Sequence, residues 1–542
     1  MILALLGLLA ACSPPASPPV AEAPPDLLPL DDARLIRRMS LDLRGTLPSL
    51  AELDSVVEGA TPATLRDTFL DDPRFEERLV QLLGQAWRTQ VDEFLVLYTE
   101  NPELAGDPTS EYPFERAVGE EPLRLMAHVA AEGLPWSTIV TADWSMANEV
   151  TGRLWPNDYP ADGLGWQVVR YTDQRPAAGV LATNGLWWRY FSTVSNYNRG
   201  RTAAIARLLL CEDYTARPVT LSASTAVTDA ETAEDELREN PYCLGCHASL
   251  DPAATALFGF WPANEYNLDE LERYHPEREL VGEDLLGVES SWFGTPFSGL
   301  SELGVLVAAD PRFARCTVET AASLLWRRPV GVEDAAEIEA VRARHVENGT
   351  YKDTLAALTD GARYRVGAYA DTATDATRAR EVSVRMMDAP LLASVLRDLT
   401  GFSWSYGGFA QLENDTWGYR LLGGGVDGEY ATRSQATPGL TWLAVWSRAA
   451  EAAAAYAVDT ELVDGGARLT FGAVTLDDDV DSAAFDAEIT ALSRRLYAEA
   501  PDAEALADVR AMWAAIAADA GAAEAWRGTL AALLQDPRFV TY

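Results

Sequence analysis

The chain has 542 residues, 48% of them hydrophobic, so it can bury a large core and is not a disordered polyanion. Its 43 basic and 82 acidic side chains give a formal net charge of −39, which argues against nucleic acid and anionic lipid headgroups as partners because both attract basic surfaces. At about 100–200 residues per domain, this length predicts about three domains.

The chain starts with an apolar run at residues 2–11. This run is shorter than the ~20 residues that span a bilayer, but it has the length of a signal-peptide core. It leads into Leu9-Ala10-Ala11-Cys12, which resembles the lipobox of bacterial lipoproteins, although no Lys or Arg precedes the run. We therefore expect residues 1–12 to be a lipoprotein signal peptide and Cys12 to carry a lipid. The alternative is an ordinary chain start with a chance cysteine.

The lipid on Cys12 would be the only contact with the membrane, and it would place the protein at the cell envelope, on the periplasmic face or the outer surface. Residues 13–29 follow with seven prolines. Such a composition favours extended polyproline conformations and predicts a semi-rigid linker that holds the body away from the bilayer.

Beyond the linker, helical patterns predominate and predict a mainly α, multi-domain fold. In the first helix, apolar side chains recur at Leu35, Ile36, Met39 and Leu43. We expect an N-terminal helical domain over 30–200, a middle domain over 201–375 and a C-terminal helical domain over 376–542. The predicted helices end and begin at recognisable signals, with Gly45 as a stop and Ser49-Leu50-Ala51-Glu52 as a capping box. A short β-hairpin is expected at 467–476.

Two patterns recur along the chain. Asp-Pro-Arg-Phe appears at 72–75, 310–313 and 536–539, where Asp-Pro predicts the start of a helix. Arginine pairs, interpreted as solvated or carboxylate-paired, stand in longer similar series at Arg37-Arg38, Arg327-Arg328 and Arg494-Arg495. We interpret these series as internally repeated helical hairpins. The alternative is that an Ala-rich helical sequence matches itself by chance.

The most informative motif is Cys243-Leu244-Gly245-Cys246-His247. Two cysteines at this spacing lie along one side of a helical turn and match the two vinyl groups of haem, and the next histidine can bind the iron as its proximal ligand. A redox dithiol would need a βαβ context, and a structural zinc site would need four ligands. The motif therefore predicts one covalently attached haem c, held by Cys243, Cys246 and His247, with a dithiol, a zinc site or chance as the alternatives.

The sixth ligand of such an iron is not identified by the sequence. Methionine is absent between His247 and Met386, so the downstream candidates are His275, which we favour, and His345. The upstream candidates are Met126, His128 and Met146. An open sixth position would bind small ligands or peroxide, whereas a filled one is suited to electron transfer. No residue is assigned a catalytic role, because the chain holds no Gly-x-Ser-x-Gly elbow or phosphate-binding loop.

Two cysteines remain, Cys211 and Cys316, and in an oxidising compartment such a pair is a candidate disulfide. The alternative is two reduced, buried thiols. Arg199 and Arg201 are candidates for pairing with the haem propionates.

These motifs together resemble a family, the planctomycete-type cytochrome c-like surface proteins. The resemblance covers about half of the chain and is less clear over residues 380–542. It is carried by Asp32–Arg88 with its motif Leu35–Pro48, Asn198–Cys211, Cys243–His247 with Asp251-Pro252, Asp310–Cys316 and Leu325–Arg328. The resemblance implies haem c, an extracytoplasmic location and a helical body with a cytochrome c-like domain in the middle. Family members often have glycine after the Asp-Pro, where this chain has Ala253-Ala254.

The sequence thus predicts a lipid-anchored, monohaem c-type cytochrome-like protein that transfers electrons to or from a redox partner. Its acidic surface favours a basic partner protein. An electron carrier is favoured over a catalyst with its own substrate. The alternatives are a surface binding or scaffold lipoprotein with a structural haem, and a peroxide-reactive haem enzyme.

Overall fold

The computed structural model describes residues 26–92, 94, 111–218, 236–237, 239–262, 273–427 and 431–542. Cys12, the signal peptide and most of the linker lie outside these residues. The fold is 59% helical and 5% strand, which confirms the mainly α class. No helix among the described residues combines the length and the apolar character needed to cross a membrane.

The helices fall into three successive groups along the described chain. The first group is α1 (Asp32–Arg44), α2 (Leu50–Val57), α3 (Pro62–Leu70), α4 (Arg74–Trp87), α5 (Glu111–Ala131), α6 (Thr151–Leu154), α7 (Asn184–Arg189) and α8 (Arg199–Leu210). The second group is α9 (Pro241–Ala254), α10 (Val281–Leu286), α11 (Gly299–Ala309), α12 (Pro311–Trp326), α13 (Ala335–Asn348) and α14 (Tyr351–Asp360). The third group is α15 (Asp375–Arg380), α16 (Ala389–Thr400), α17 (Leu440–Val458), α18 (Ala483–Tyr497), α19 (Ala503–Ala520), α20 (Ala522–Gln535) and α21 (Pro537–Val540).

The strands are short and form four antiparallel pairs. They are β1 (Leu27–Pro29) with β6 (Val366–Tyr369), β2 (Ser145–Ala147) with β3 (Gln167–Val169), β4 (Ser291–Trp292) with β5 (Thr295–Pro296), and β7 (Ser405–Tyr406) with β8 (Phe409–Ala410). Short 3₁₀ turns join several helices, at Trp136–Val140, Gly179–Ala182, Tyr214–Ala216, Thr255–Phe260, Pro276–Arg278 and Val332–Asp334. A π-helical turn, Asp459–Val463, continues α17.

Helix α1 forms where its apolar spacing predicts it. It ends at Gly45, whose φ of 70° is the left-handed conformation that glycine adopts most easily. Ser49 and Glu52 then form the expected capping box at the start of α2. The interpretation of Arg37 and Arg38 as solvated or carboxylate-paired is wrong, since both are buried and donate to backbone carbonyl oxygens.

The three Asp-Pro-Arg-Phe segments each adopt one local structure at the start of a helix. In each segment the aspartate accepts hydrogen bonds from both the backbone N–H and the side-chain Nε of the arginine two residues later. The phenylalanine is buried in each segment, as Phe75, Phe313 and Phe539. The tetrapeptide is therefore a capping unit that also anchors its helix in the core.

Two large hydrophobic cores lie in the molecule. The first joins buried residues from Leu35 to Tyr364, and the second joins buried residues from Met386 to Tyr542. Helix α1 contributes to both, because Leu41 and the nearby Leu47 belong to the second core. The domain boundaries remain a prediction.

The hairpin expected at 467–476 is wrong, because the structure has bends there and no strand. Buried carboxylates hold this segment instead. Glu461 accepts hydrogen bonds from the backbone N–H groups of Thr470 and Phe471, and Glu488 accepts one from Gly472. Hydrogen bonds to side chains thus take the place of a β ladder.

Candidate functional site

The Cys-x-x-Cys-His motif lies in the first two turns of α9. The helix begins after Asn240, whose side chain accepts a hydrogen bond from the N–H of Tyr242, and proline occupies its first position. Residues three and four apart on a helix share a face. Cys243 therefore lies on the same side as Cys246 and His247.

The start of α9 is open, while its end is buried. Tyr242 is 71% exposed, and a Cβ added to Gly245 would meet no atom within 4 Å. The two cysteines are half-buried free thiols. From Leu250 onward the helix packs into the protein, so its last turn fixes the position of the motif.

A chain of three side chains fixes the imidazole of His247. Its Nδ1 lies 2.9 Å from Oδ1 of Asp251, one turn further along α9. The guanidinium group of Arg199, at the start of α8, binds both oxygens of Asp251, with Nε 3.0 Å from Oδ1 and Nη2 3.1 Å from Oδ2. The carboxylate thereby links the motif to a second helix.

These contacts determine which nitrogen of His247 is available. Burial alone would raise the pKa of Asp251, but the hydrogen bonds from His247 and Arg199 hold it below its ordinary value. The carboxyl group is therefore ionised at neutral pH, and its Oδ1 accepts a hydrogen bond from the N–H at Nδ1. In the neutral imidazole this leaves the lone pair on Nε2, the nitrogen that can bind a metal.

The second thiol has a cation beside it. Nη1 of Arg217 lies 4.0 Å from Sγ of Cys246 and donates to the carbonyl oxygen of Gly245 at 3.2 Å. The guanidinium group of Arg217 also lies over the ring of Tyr214, 4.1 Å from its centroid. Cys246 itself packs against the small apolar cluster that includes Tyr214.

The other two cysteines, Cys211 and Cys316, are joined by a disulfide, and their Cα atoms are 5.2 Å apart. The bond ties the end of α8 to α12. Because α8 also carries Arg199, the disulfide and the Arg199–Asp251 ion pair hold opposite ends of the same helix. The motif helix is thus connected to the first core through α8.

His275, the candidate sixth ligand, is 1% exposed. Its Nδ1 lies 3.0 Å from Oε1 of Glu277, and its backbone N–H donates to the carbonyl oxygen of Gly259. His275 is therefore buried against the 3₁₀ turn Thr255–Phe260, which follows α9. Its role as a ligand remains a prediction.

Arg201 has a structural role. It is 2% exposed and donates to the carbonyl oxygens of Tyr190 and Phe260, so its guanidinium group is already engaged inside the protein. Burial lowers its pKa to about 9. Arg199 is engaged by Asp251 rather than left free for a propionate.

Sequence reasoning did not identify Asp251 as the partner of His247. The signal was present, because a carboxylate four residues after a histidine on a helix lies on the same face. Arg217 carried no such signal, since 29 residues separate it from Cys246. Within the described ranges, no group of three or more His, Cys, Asp or Glu side chains is placed to hold a metal ion alone.

No protein-family model, no curated protein and no solved structure matches this chain. The resemblance to planctomycete-type cytochrome c-like surface proteins therefore stays a prediction that rests on the motifs.

Proposed function

We propose that this protein is a monohaem c-type cytochrome-like electron carrier of the cell envelope. The observation that carries the proposal is the donor set on α9. Two free thiols and an imidazole share one helical face, and the imidazole is held by Asp251 through Nδ1, which leaves Nε2 for the iron. This set has the groups that covalent haem attachment uses.

Cys243 and Cys246 would hold the haem covalently. Each thiol would add across one vinyl group and form a thioether bond, while its hydrogen would go to the other vinyl carbon, so neither an oxidant nor a reductant would be needed. A Cβ added to Gly245 would meet no atom within 4 Å, so the helix surface next to Cys246 is open.

His247 supplies the proximal nitrogen, and Asp251 orients it. When bound, haem supplies an iron that alternates between its ferric and ferrous states. A carboxylate that accepts a hydrogen bond from the N–H at Nδ1 makes the imidazole more basic and fixes the orientation of its ring. Arg199 partly neutralises this carboxylate, so the charge that the imidazole experiences is set by two side chains.

The expected lipid on Cys12 and the net charge of −39 complete the proposal. The lipid would hold the protein at the membrane surface. The acidic surface would attract a basic redox partner and increase the rate of encounter.

The proposal is tested by expressing the full chain in a host that attaches haem c outside the cytoplasm. We expect purified protein to bind about one iron per chain and to stain for haem after denaturing electrophoresis. The double variant Cys243→Ala/Cys246→Ala should lose the stain. The matched double variant Cys211→Ala/Cys316→Ala removes two cysteines elsewhere and should retain it.

Other outcomes would contradict the proposal. Zinc in place of iron, or a protein without Soret absorbance, would exclude haem. Rapid binding of carbon monoxide to the reduced protein, together with peroxide turnover, would favour a haem enzyme over an electron carrier. Failure to exchange electrons with any donor would favour a scaffold with a structural haem.

A further inference from the structure

A large cavity lies away from the haem motif, where the ends of α4 and α12 meet the segments 382–386 and 432–436. Its volume is about 510 Å³, within the range of small-molecule sites. The disulfide residue Cys211 forms part of its wall. The cavity is therefore built by parts of the chain that are distant in sequence.

The cavity is strongly basic, although the chain as a whole carries a net charge of −39. Five arginines line it, and among the described residues of its lining the single carboxylate is that of Glu319. Glu319 is paired with Arg315, 2.7 Å away. Acidic side chains are thus rare in the described lining of this cavity, although the chain has 82 of them.

Some of the cavity arginines are neutralised by carboxylates and others are not. Arg328 is paired with Asp334 and Glu381, and Arg385 with Asp42. Arg327 is paired with Asp388, and the remaining arginines of the lining are Arg88 and Arg433.

Arg88 and Arg433 form no ion pair within the part of the chain that the structure describes. Arg433 is exposed. The pKa of Arg88 is lowered, first by burial and then by repulsion from Arg207 and Arg189. Tyr190 and Asp213 oppose this shift only in part, so Arg88 lies between Arg207 and Arg189 with less negative than positive charge around it.

A further arginine, Arg78, is buried next to the arginines that line the cavity. Asp388 is the carboxylate that attracts both Arg327, at 3.2 Å, and the fully buried Arg78. Several buried guanidinium N–H groups here have no hydrogen-bond partner among the described residues, namely Nε of Arg78, Arg88, Arg327 and Arg385. Arg327 and Arg385 are paired with Asp388 and Asp42, which leaves Arg78 and Arg88 without an ion pair among the described residues. Buried cations are costly unless they are paired, so an anion at this wall would be stabilised.

Arg88 and Arg327 follow the last residues of α4 and α12, and both have φ of 56°, the left-handed region in which glycine is usual. Ala498 ends α18 in the same conformation, so this is a common end for helices of the chain. Its effect here is to place two arginines at the ends of two helices that meet at the cavity.

We propose that this cavity binds a small organic anion with at least two carboxylate or phosphate groups. The planar guanidinium fork matches both groups with paired hydrogen bonds. Ser434 and Gln85, which also line the cavity, are hydrogen-bonded to each other and to Asp388, so the arginines are the groups that recognise the ligand. Arg433 and Arg88 would bind the charged groups of the ligand.

The test is isothermal titration of the full chain at constant ionic strength with three probes of similar size. Digalacturonate presents carboxylates, fructose 1,6-bisphosphate presents phosphates, and maltose is neutral. We expect one of the anions to bind and maltose not to bind. The Arg433→Gln variant should bind that anion about tenfold more weakly, as expected for one charge-assisted hydrogen bond.

Arg448→Gln is the matched control, because Arg448 is an exposed arginine on the neighbouring helix α17 that does not line the cavity. It should bind like the unmodified protein, and Arg88→Gln should repeat the loss seen with Arg433→Gln. The proposal is overturned if neither anion binds at millimolar concentration or if maltose binds as well as they do. Equal losses in Arg433→Gln and Arg448→Gln would also overturn it.

Discussion

At the scale of single residues, the ion pair between Asp251 and Arg199 sets the electrostatics of His247. The negative charge of the carboxylate makes the imidazole more basic, and the positive charge of the guanidinium group offsets part of this effect. Changing the carboxylate while leaving the motif intact separates this effect from haem attachment.

If the motif holds haem as proposed, we expect Asp251→Asn to raise the reduction potential of that haem. The neutral amide makes His247 a weaker donor, which destabilises the ferric state relative to the ferrous state. A tenfold change in that balance corresponds to about 59 mV for one electron, and we expect a shift of this order. The measurement is a spectroelectrochemical titration. Asp284 is an exposed residue on α10, and Asp284→Asn is the control that should leave the potential unchanged. An unchanged or lower potential in Asp251→Asn would contradict the prediction.

Glu337 on α13 is a second residue whose charge matters. Its pKa rises from 4.5 to about 7, first because of burial and further because of the charges on Asp334 and Glu381, while Arg363 opposes the rise. Between pH 4.5 and about 7 the folded protein therefore holds a proton that the unfolded chain has lost. Linkage then requires this group to lower stability as pH rises through that interval.

We expect Glu337→Gln to remove this pH dependence. At about pH 8 the variant should be more stable than the unmodified protein by up to about 3 kcal/mol, and at about pH 4.5 the difference should vanish. Urea unfolding at the two pH values measures both. Glu339→Gln, an exposed residue on the same helix, is the control and should show no such gain. A gain of equal size at both pH values would show that ionisation of Glu337 is not the cause.

The spacing within one helix placed Cys243, Cys246 and His247 together correctly. Arg199 and Arg217 reach the motif from outside α9. Nothing in the local sequence fixes such a distance, because it depends on how helices pack. The same holds for Arg37 and Arg38, whose partners include carbonyl oxygens from the far end of the chain.

At the scale of secondary-structure elements, the Asp-Pro-Arg-Phe segments show why helix starts were predictable. The two hydrogen bonds that all three caps share lie within the tetrapeptide, so the local sequence determines them. Distant residues add to two of the caps, since Asp310 also accepts from Nε1 of Trp292 and Asp72 from Arg44. The failed hairpin at 467–476 is the opposite case. Its backbone N–H groups are satisfied by Glu461 and Glu488, and the sequence of the segment does not show that these carboxylates are near.

We expect Asp310→Ala to destabilise the protein by about 1–2 kcal/mol, because it removes the side-chain cap of α12. Asp310→Asn should cost less, since an amide oxygen can still accept from the N–H of Arg312. Thermal or urea unfolding of the two variants measures the difference. Equal losses would show that the negative charge, rather than the cap, provides the stabilisation.

The charge on Asp310 adds a dependence on pH. Burial alone would raise its pKa, but the contacts with Arg312 hold it below the ordinary value of 3.8. The stabilisation that the ionised carboxylate of Asp310 gives the folded protein should be complete above pH 3.8. It should be lost as the pH falls below that value. The stability lost in Asp310→Ala should therefore shrink in acid.

At the scale of the whole molecule, α1 connects the two cores. Leu35 packs in the first and Leu41 in the second. Beside them, the ion pair of Asp42 with Arg385 is completely buried, at 2.6 Å. The basic cavity lies along this junction. Sequence analysis did not predict the cavity, because the residues that line it are spread from Gln85 to Ala436. The net charge of −39 also gives no indication of a local group of arginines.

The acidic surface leads to a prediction about partner choice. If the protein carries electrons, its net charge of −39 should attract a basic redox protein over distances beyond direct contact. We expect the second-order rate of electron transfer to a basic acceptor to fall at least about tenfold as ionic strength rises from about 0.01 M to about 0.15 M, because the screening length shortens from ~30 Å to ~8 Å. Stopped-flow mixing at several salt concentrations measures this rate. An acidic acceptor of similar potential is the control, and its rate should rise with salt because screening relieves repulsion. A basic acceptor whose rate is independent of salt would show that the surface charge serves solubility rather than partner choice.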